Sequence, residues 1–213
     1  MPRPMKIDFV SDVSCPWCVI GLRGLEEALA KTGDVVAADI HFQPFELNPD
    51  MPAEGRGVVE HLTQAYGAPA SQIAANRAVI KDRAEALGFP MSMSETARMW
   101  NTFDAHRLLH WAEQSGKQHA LKRALFAAYH SDDQNVSDAD ILVAAAEKAG
   151  LDGSEARDVL TSGRYADEVR QTERLWQSRG ISSVPAVIID GRYLVPGGQT
   201  PEAFWNSVRH ANP

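Results

Sequence analysis

Strands confined to the two ends of a 213-residue chain, a long helical middle, and a Cys15-x-x-Cys18 pair where the first strand meets the first helix predict an α/β fold. The economical arrangement is one sheet assembled from both ends of the chain, with an all-helical subdomain inserted between its halves. Residues 1–50 and 179–213 form the sheet domain in this reading, and 51–178 the helical insertion. The length suffices for one large core with a sizeable insertion. The 44% hydrophobic content is ordinary for a globular protein.

Residues 6–13 read as a buried strand, because Ile7, Phe9 and Val10 are β-formers and the run is too short for a helix. Residues 17–30 read as the first helix, with Leu22, Leu25, Ala28 and Leu29 on one stripe and Thr32-Gly33-Asp34 as its stop. Residues 35–46, rich in Val, Ile and Phe, supply a second strand and complete a βαβ opening. Helical patterns then cover 57–66, 71–87, 101–115, 118–131, 138–149, 153–162 and 165–178, punctuated by Pro69, Gly88-Phe89-Pro90, Gly116, Gly150 and Gly163. Ser137-x-x-Asp140 resembles a capping box. Strand character returns at 186–190; Asp190-Gly191 is a hairpin turn and 192–195 its partner strand. Thr200 is placed to cap a last helix, with Pro201 at its first position.

Cys15-Pro16-Trp17-Cys18 holds the only two cysteines of the chain. A dithiol of this spacing at a helix start is a redox signature, because unpaired N–H groups and the helix dipole favour a thiolate there. One sulfur can stay exposed while the other, a turn inward, resolves a mixed disulfide. A zinc site needs four N or S ligands; there is no second C-x-x-C, and His41 and His61 lack the required spacing, so no metal is expected. Val184-Pro185, directly before the strand at 186–190, is the candidate second half of the site. A cis bond is inexpensive only before proline, and it would turn the Val184 backbone toward the reactive sulfur as an edge for an extended substrate.

Taken together, Ser14-Cys15-Pro16-Trp17-Cys18, Phe45-Glu46-Leu47-Asn48-Pro49, the run 101–108 and the stretch 180–199 resemble the DsbA-like thioredoxin family, and within it the FrnE-type dithiol–disulfide isomerases of the cytoplasm. The resemblance spans essentially the whole chain. It implies a thioredoxin fold with an all-helical insertion, Cys15 as nucleophile, Cys18 as resolving thiol, and Pro185 as the cis-proline. It also implies that Pro16, Trp17, Val184 and Pro185 contact substrate. Asn101 and His106 would line a cleft over Cys15, and Gln199 would lie in a segment similar to the glutathione site of kappa-class transferases. Periplasmic relatives have histidine where this chain has Trp17, which has no titratable charge, so a less oxidising couple is expected.

The expected activity is therefore thiol–disulfide exchange with protein or small-molecule thiols and disulfides, with no bound cofactor and glutathione as candidate redox co-substrate. One alternative is a glutathione-dependent isomerase or transferase resembling 2-hydroxychromene-2-carboxylate isomerase; another is a non-catalytic client-binding module. A net charge of −7 without a dense Lys/Arg cluster argues against a nucleic-acid partner. No run approaches the roughly eighteen apolar residues of a membrane span. The first residues lack a signal-peptide pattern, and both cysteines belong to the motif, so a cytoplasmic location is expected. The resemblance also makes room for a homodimer.

Overall fold

Strand β1 (Arg3–Ser11) is the centre of a four-stranded sheet ordered β2-β1-β5-β6, where β2 is Val36–Pro44, β5 Ala186–Ile189 and β6 Tyr193–Pro196. β2 runs parallel to β1, while β5 and β6 add antiparallel neighbours. Ile7, Phe9 and Val10 of β1 and Val187 and Ile189 of β5 are fully buried, which accounts for apolar runs without a polar face. This computed structural model describes residues 2–32 and 35–211. Gly33 and Asp34, the expected helix stop, lie outside the described residues. The chain divides into two compact units, one comprising residues up to Leu47 and from Ala166 onward, the other Asn48–Tyr165.

Within the first unit, α1 (Pro16–Ala30) packs against α9 (Pro201–Ala211) on the Phe9 face of the sheet. Close approach explains two glycines of α1. A Cβ on Gly24 would lie 2.8 Å from the Gln199 carbonyl oxygen, and one on Gly21 would lie 3.6 Å from the Phe9 ring and 3.0 Å from Pro185 Cγ. The opposite face carries α8 (Ala166–Ser178): its Trp176 is buried in a cluster with Val10, Phe45, Ile181, Ala186 and Ile188. The helix expected to close the insertion at residue 178 therefore belongs with the sheet, and the division falls at 165 instead. The physical reason is that Trp176 and Val169 are buried and α8 packs along β2. Asp190 and Gly191 both adopt positive φ, 50° and 65°, the backbone that a tight hairpin requires. Asp190 also accepts from the Lys6 N–H (2.9 Å) and from Arg3 (2.8 Å), tying the hairpin to the start of β1.

The second unit contains a two-residue antiparallel ladder, β3 (Arg56–Gly57) with β4 (Arg98–Met99), that the sequence pattern did not predict. Its helices are α2 (Val58–Tyr66), α3 (Ala70–Ala86), α4 (Phe103–Glu113), α5 (Gln118–Phe126), α6 (Ala139–Lys148) and α7 (Gly153–Ser162). Leu108, Leu121, Leu125, Leu142 and Val159 are fully buried in its core. The buried Arg107 guanidinium caps the end of α7, donating to the carbonyls of Val159, Leu160 (3.3 Å) and Arg164 (2.8 Å) and to Asp104 (2.7 Å). It satisfies carbonyls that a helix C-terminus leaves unpaired.

Two local expectations change. The helical pattern at 118–131 ends in a widened π-turn, Ala127–Ser131, where the His130 carbonyl accepts from the Ser92 N–H (2.7 Å) and the Ser131 hydroxyl donates to Pro90 (2.5 Å). Asp138, rather than Ser137, caps α6: its carboxylate accepts from the N–H groups of Asp140 (2.8 Å) and Ile141 (3.4 Å), while Ser137 bonds to Asn135. Thr200 does cap α9, accepting from the Ala203 N–H at 3.2 Å.

Candidate active site

The chain leaves β1 at Ser11, turns through residues 12–14 and enters α1 with Cys15 as N-cap and Pro16 as the first helical residue. Cys15 has extended backbone (φ −86°, ψ 112°), and its carbonyl takes the first helical hydrogen bond from the Cys18 N–H at 3.0 Å. Both residues are thiols, not joined in a disulfide. Cys15 is 4% exposed and Cys18 not at all, so an incoming sulfur can reach Cys15 first.

Asp12 holds this turn. Its carboxylate accepts from the Ser14 N–H (3.3 Å), the Ser14 hydroxyl (3.0 Å) and the Leu47 N–H (2.8 Å), and its carbonyl accepts from the Cys15 N–H (3.3 Å). The seat of Cys15 is thus pinned to the segment leaving β2. Sequence reasoning missed Asp12, although an acidic residue just before the dithiol was a visible signal for a turn-forming side chain.

Opposite the helix start, the Val184–Pro185 peptide is cis, as its position had suggested. The Cys15 thiol donates to the Val184 carbonyl across 3.7 Å, so sulfur and peptide edge meet within the first unit. Pro185 is buried, and its carbonyl accepts from the Gly197 N–H at 2.8 Å. Trp17 is half-buried beside Gly198: a Cβ on that glycine would sit 2.8 Å from the Trp17 carbonyl oxygen and 3.2 Å from its ring. The stretch 196–199 therefore supports both Pro185 and Trp17; Gly198 lies in the segment that resembles a glutathione site, and its close packing on Trp17 had no sequence signal. Gln199 spends its side-chain N–H on the Pro196 carbonyl of its own turn, at 2.6 Å.

Asn101 and His106 belong to the second unit. Asn101 accepts from the Phe103 N–H (2.9 Å) and donates to the Pro49 carbonyl (3.3 Å), organising the entry to α4; His106 is buried on that helix. Among the described residues no group of His, Cys, Asp and Glu is arranged to hold a metal ion. No described helix is long and apolar enough to cross a membrane.

The electrostatic feature of the first unit is a pair of buried carboxylates, Glu46 after β2 and Glu173 on α8, both ion-paired to Arg170 Nη1, Glu173 at 2.9 Å. Their side chains are 2% and 6% exposed, and one oxygen of each has no hydrogen-bond partner among the described residues. Burial first, and then the Glu173 charge, push Glu46 from its ordinary 4.5 up to about 7 against the pull of Arg170; Asp12 adds a smaller push the same way. No sequence signal pointed to this pair, because its members lie more than a hundred residues apart.

A model of the DSBA-like thioredoxin domain matches residues 6–209. The uncharacterized Bacillus subtilis protein YwbO is 30% identical over 205 residues, covering 96% of each chain. The structure of a probable DsbA oxidoreductase from Streptomyces coelicolor superposes with a TM-score of 0.91 at 34% identity, over 97% of this chain and 89% of that one. The cytosolic disulfide reductase DsbM of Pseudomonas aeruginosa shares the fold at TM-score 0.65 and 16% identity, over 96% of this chain and 97% of its own.

Proposed function

The chain belongs to the DSBA-like thioredoxin domain family, and from that premise we propose that it is a thiol–disulfide oxidoreductase or isomerase with Cys15 as its nucleophile. In the reducing direction the Cys15 thiolate attacks a substrate disulfide, forms a mixed disulfide and releases one substrate thiolate. Cys18 then loses its proton and attacks the Cys15 sulfur. This releases the second substrate thiol and leaves a Cys15–Cys18 disulfide, two electrons having passed to the substrate. The reverse sequence oxidises a dithiol; in isomerisation another thiolate of the substrate attacks its own sulfur in the mixed disulfide before Cys18 acts, forming a new substrate disulfide and expelling the Cys15 thiolate.

The observation that carries this reading is the meeting of the Cys15 thiol at a helix start with the Val184 carbonyl at 3.7 Å, while Cys18 is wholly buried behind it. A thiol seated against an open peptide group can take an extended substrate strand alongside it. Half-buried Trp17 and the Val184 edge are the proposed substrate contacts. A cytoplasmic setting in the FrnE-type manner is part of the proposal, as is glutathione for returning electrons; in support, DsbM is described as cytosolic and has been solved with GSH.

The test is turnover of a disulfide-bonded peptide by wild type and Cys15→Ser. Loss of turnover in the variant supports the reading, and unchanged turnover overturns it. Glutathione is tested by following the peptide's reduction with that thiol as sole electron source.

A further inference from the structure

The buried Glu46 and Glu173, with the partly exposed Arg170, form a group that the exchange chemistry does not itself use. One guanidinium faces two carboxylates whose side chains are 2% and 6% exposed, and each carboxylate has an oxygen without a partner among the described residues. Two buried carboxylates face a single counter-charge that is itself partly exposed, and the excess negative charge is relieved when Glu46 is neutral. The charged groups acting on Glu46 are Glu173 and Arg170 from α8 and Asp12 from the turn after β1.

We infer that Glu46 is a positioning residue for Cys15: in its neutral form, packed beside Glu173 and Arg170, it keeps the Leu47–Asp12 link that seats the nucleophile. The route is short and contiguous. Glu46 is bonded to Leu47, whose N–H donates to Asp12 at 2.8 Å; the same carboxylate receives both donors of Ser14, and the Asp12 carbonyl receives the Cys15 N–H. Loss of the Glu46 proton sets Glu46 against Glu173 and drives the segment after β2 away from α8. Leu47 moves with it and loosens its hold on Asp12. The rise of the Glu46 pKa through burial and Glu173 puts that event near neutrality.

The inference takes Cys15 as the reactive thiol from the proposed function. Its test needs no disulfide substrate, so the two can fail separately. In a Cys18→Ala background, the rate of Cys15 alkylation by iodoacetamide is followed from pH 4.5 through 7 and beyond. Beyond thiol ionisation, the profile is expected to carry a step near neutrality of roughly 2- to 30-fold, the range that packed networks transmit. Glu46→Gln removes the step. Glu173→Gln takes away the repelling charge and moves the step to lower pH. Both variants keep side-chain shape and remove a buried carboxyl group, and a thermal unfolding scan confirms their folding. A profile without the step in the parent chain, a step that persists in Glu46→Gln, or one that does not move in Glu173→Gln overturns the inference. A change in thermal midpoint with the profile intact assigns Glu46 a purely structural role and overturns it equally.

Discussion

Replacing Glu46 by glutamine should reshape the dependence of stability on pH. In the folded chain, burial and the Glu173 charge hold the Glu46 carboxyl at about 7, against 4.5 for the exposed group of the unfolded chain. Between those values the folded state keeps a proton that the unfolded state has released, so stability falls as pH rises. The contribution is fully present below 4.5 and lost as pH rises through 7. At one pKa unit per roughly 1.4 kcal/mol, the displacement corresponds to about 3 kcal/mol across the window. Glutamine carries no such proton. The stability of Glu46→Gln relative to wild type should therefore increase by about 3 kcal/mol from pH 4.5 to above pH 7. Urea unfolding followed at a series of pH values reads this difference directly. A difference that stays constant over the window, or one that moves in favour of wild type as pH rises, refutes the reasoning.

Other expectations follow from the same geometry. Gly198→Ala puts a methyl group 2.8 Å from the Trp17 carbonyl oxygen; it should cost about 1–3 kcal/mol by denaturant unfolding and slow Cys15 alkylation, and a neutral result would show that the Trp17 contact is slack. Arg107→Met removes the donors that cap α7 from the buried Val159 carbonyl and the half-buried Leu160 carbonyl, for a loss of about 2–4 kcal/mol in thermal or urea unfolding. Asp12→Ala deletes the acceptor for Ser14 and Leu47; stability should drop by about 1–3 kcal/mol, and the alkylation rate of Cys15 should change where that of Glu46→Gln does.

The parts of this fold that could be read from sequence are those whose signal is local. Ile7, Phe9 and Val10 announce a buried strand, the dithiol and Pro16 announce the helix start, and Asp190-Gly191 announces a turn whose φ angles proved positive at both residues. Three features had no local signal. The β3–β4 ladder is two residues long and has no periodicity to detect. The allegiance of α8 depends on where Trp176 is buried, and a helix's own pattern shows which face is apolar but not what covers it. The Glu46–Arg170–Glu173 group joins residues brought together only by the packing of α8 on β2. The site divides along the same line. The juxtaposition of Cys15 with the cis Val184–Pro185 peptide was legible because a dithiol at a helix start and a proline before a strand are local patterns, whereas the contacts of Asp12 and Gly198 are backbone hydrogen bonds and close approach, which many residue patterns could satisfy.

The central claim is that Cys15 attacks and Cys18 resolves, and trapping the intermediate tests it most directly. The Cys18→Ser chain, mixed with a disulfide-bonded peptide and analysed by intact-mass and peptide-mapping spectrometry, should carry one half of the peptide bonded to Cys15. Wild type under the same conditions should show no lasting adduct, since Cys18 at 0% exposure lies behind the reacting sulfur ready to displace it. An unmodified Cys15 in the Cys18→Ser chain, with peptide reduction continuing at the wild-type rate, would contradict the account.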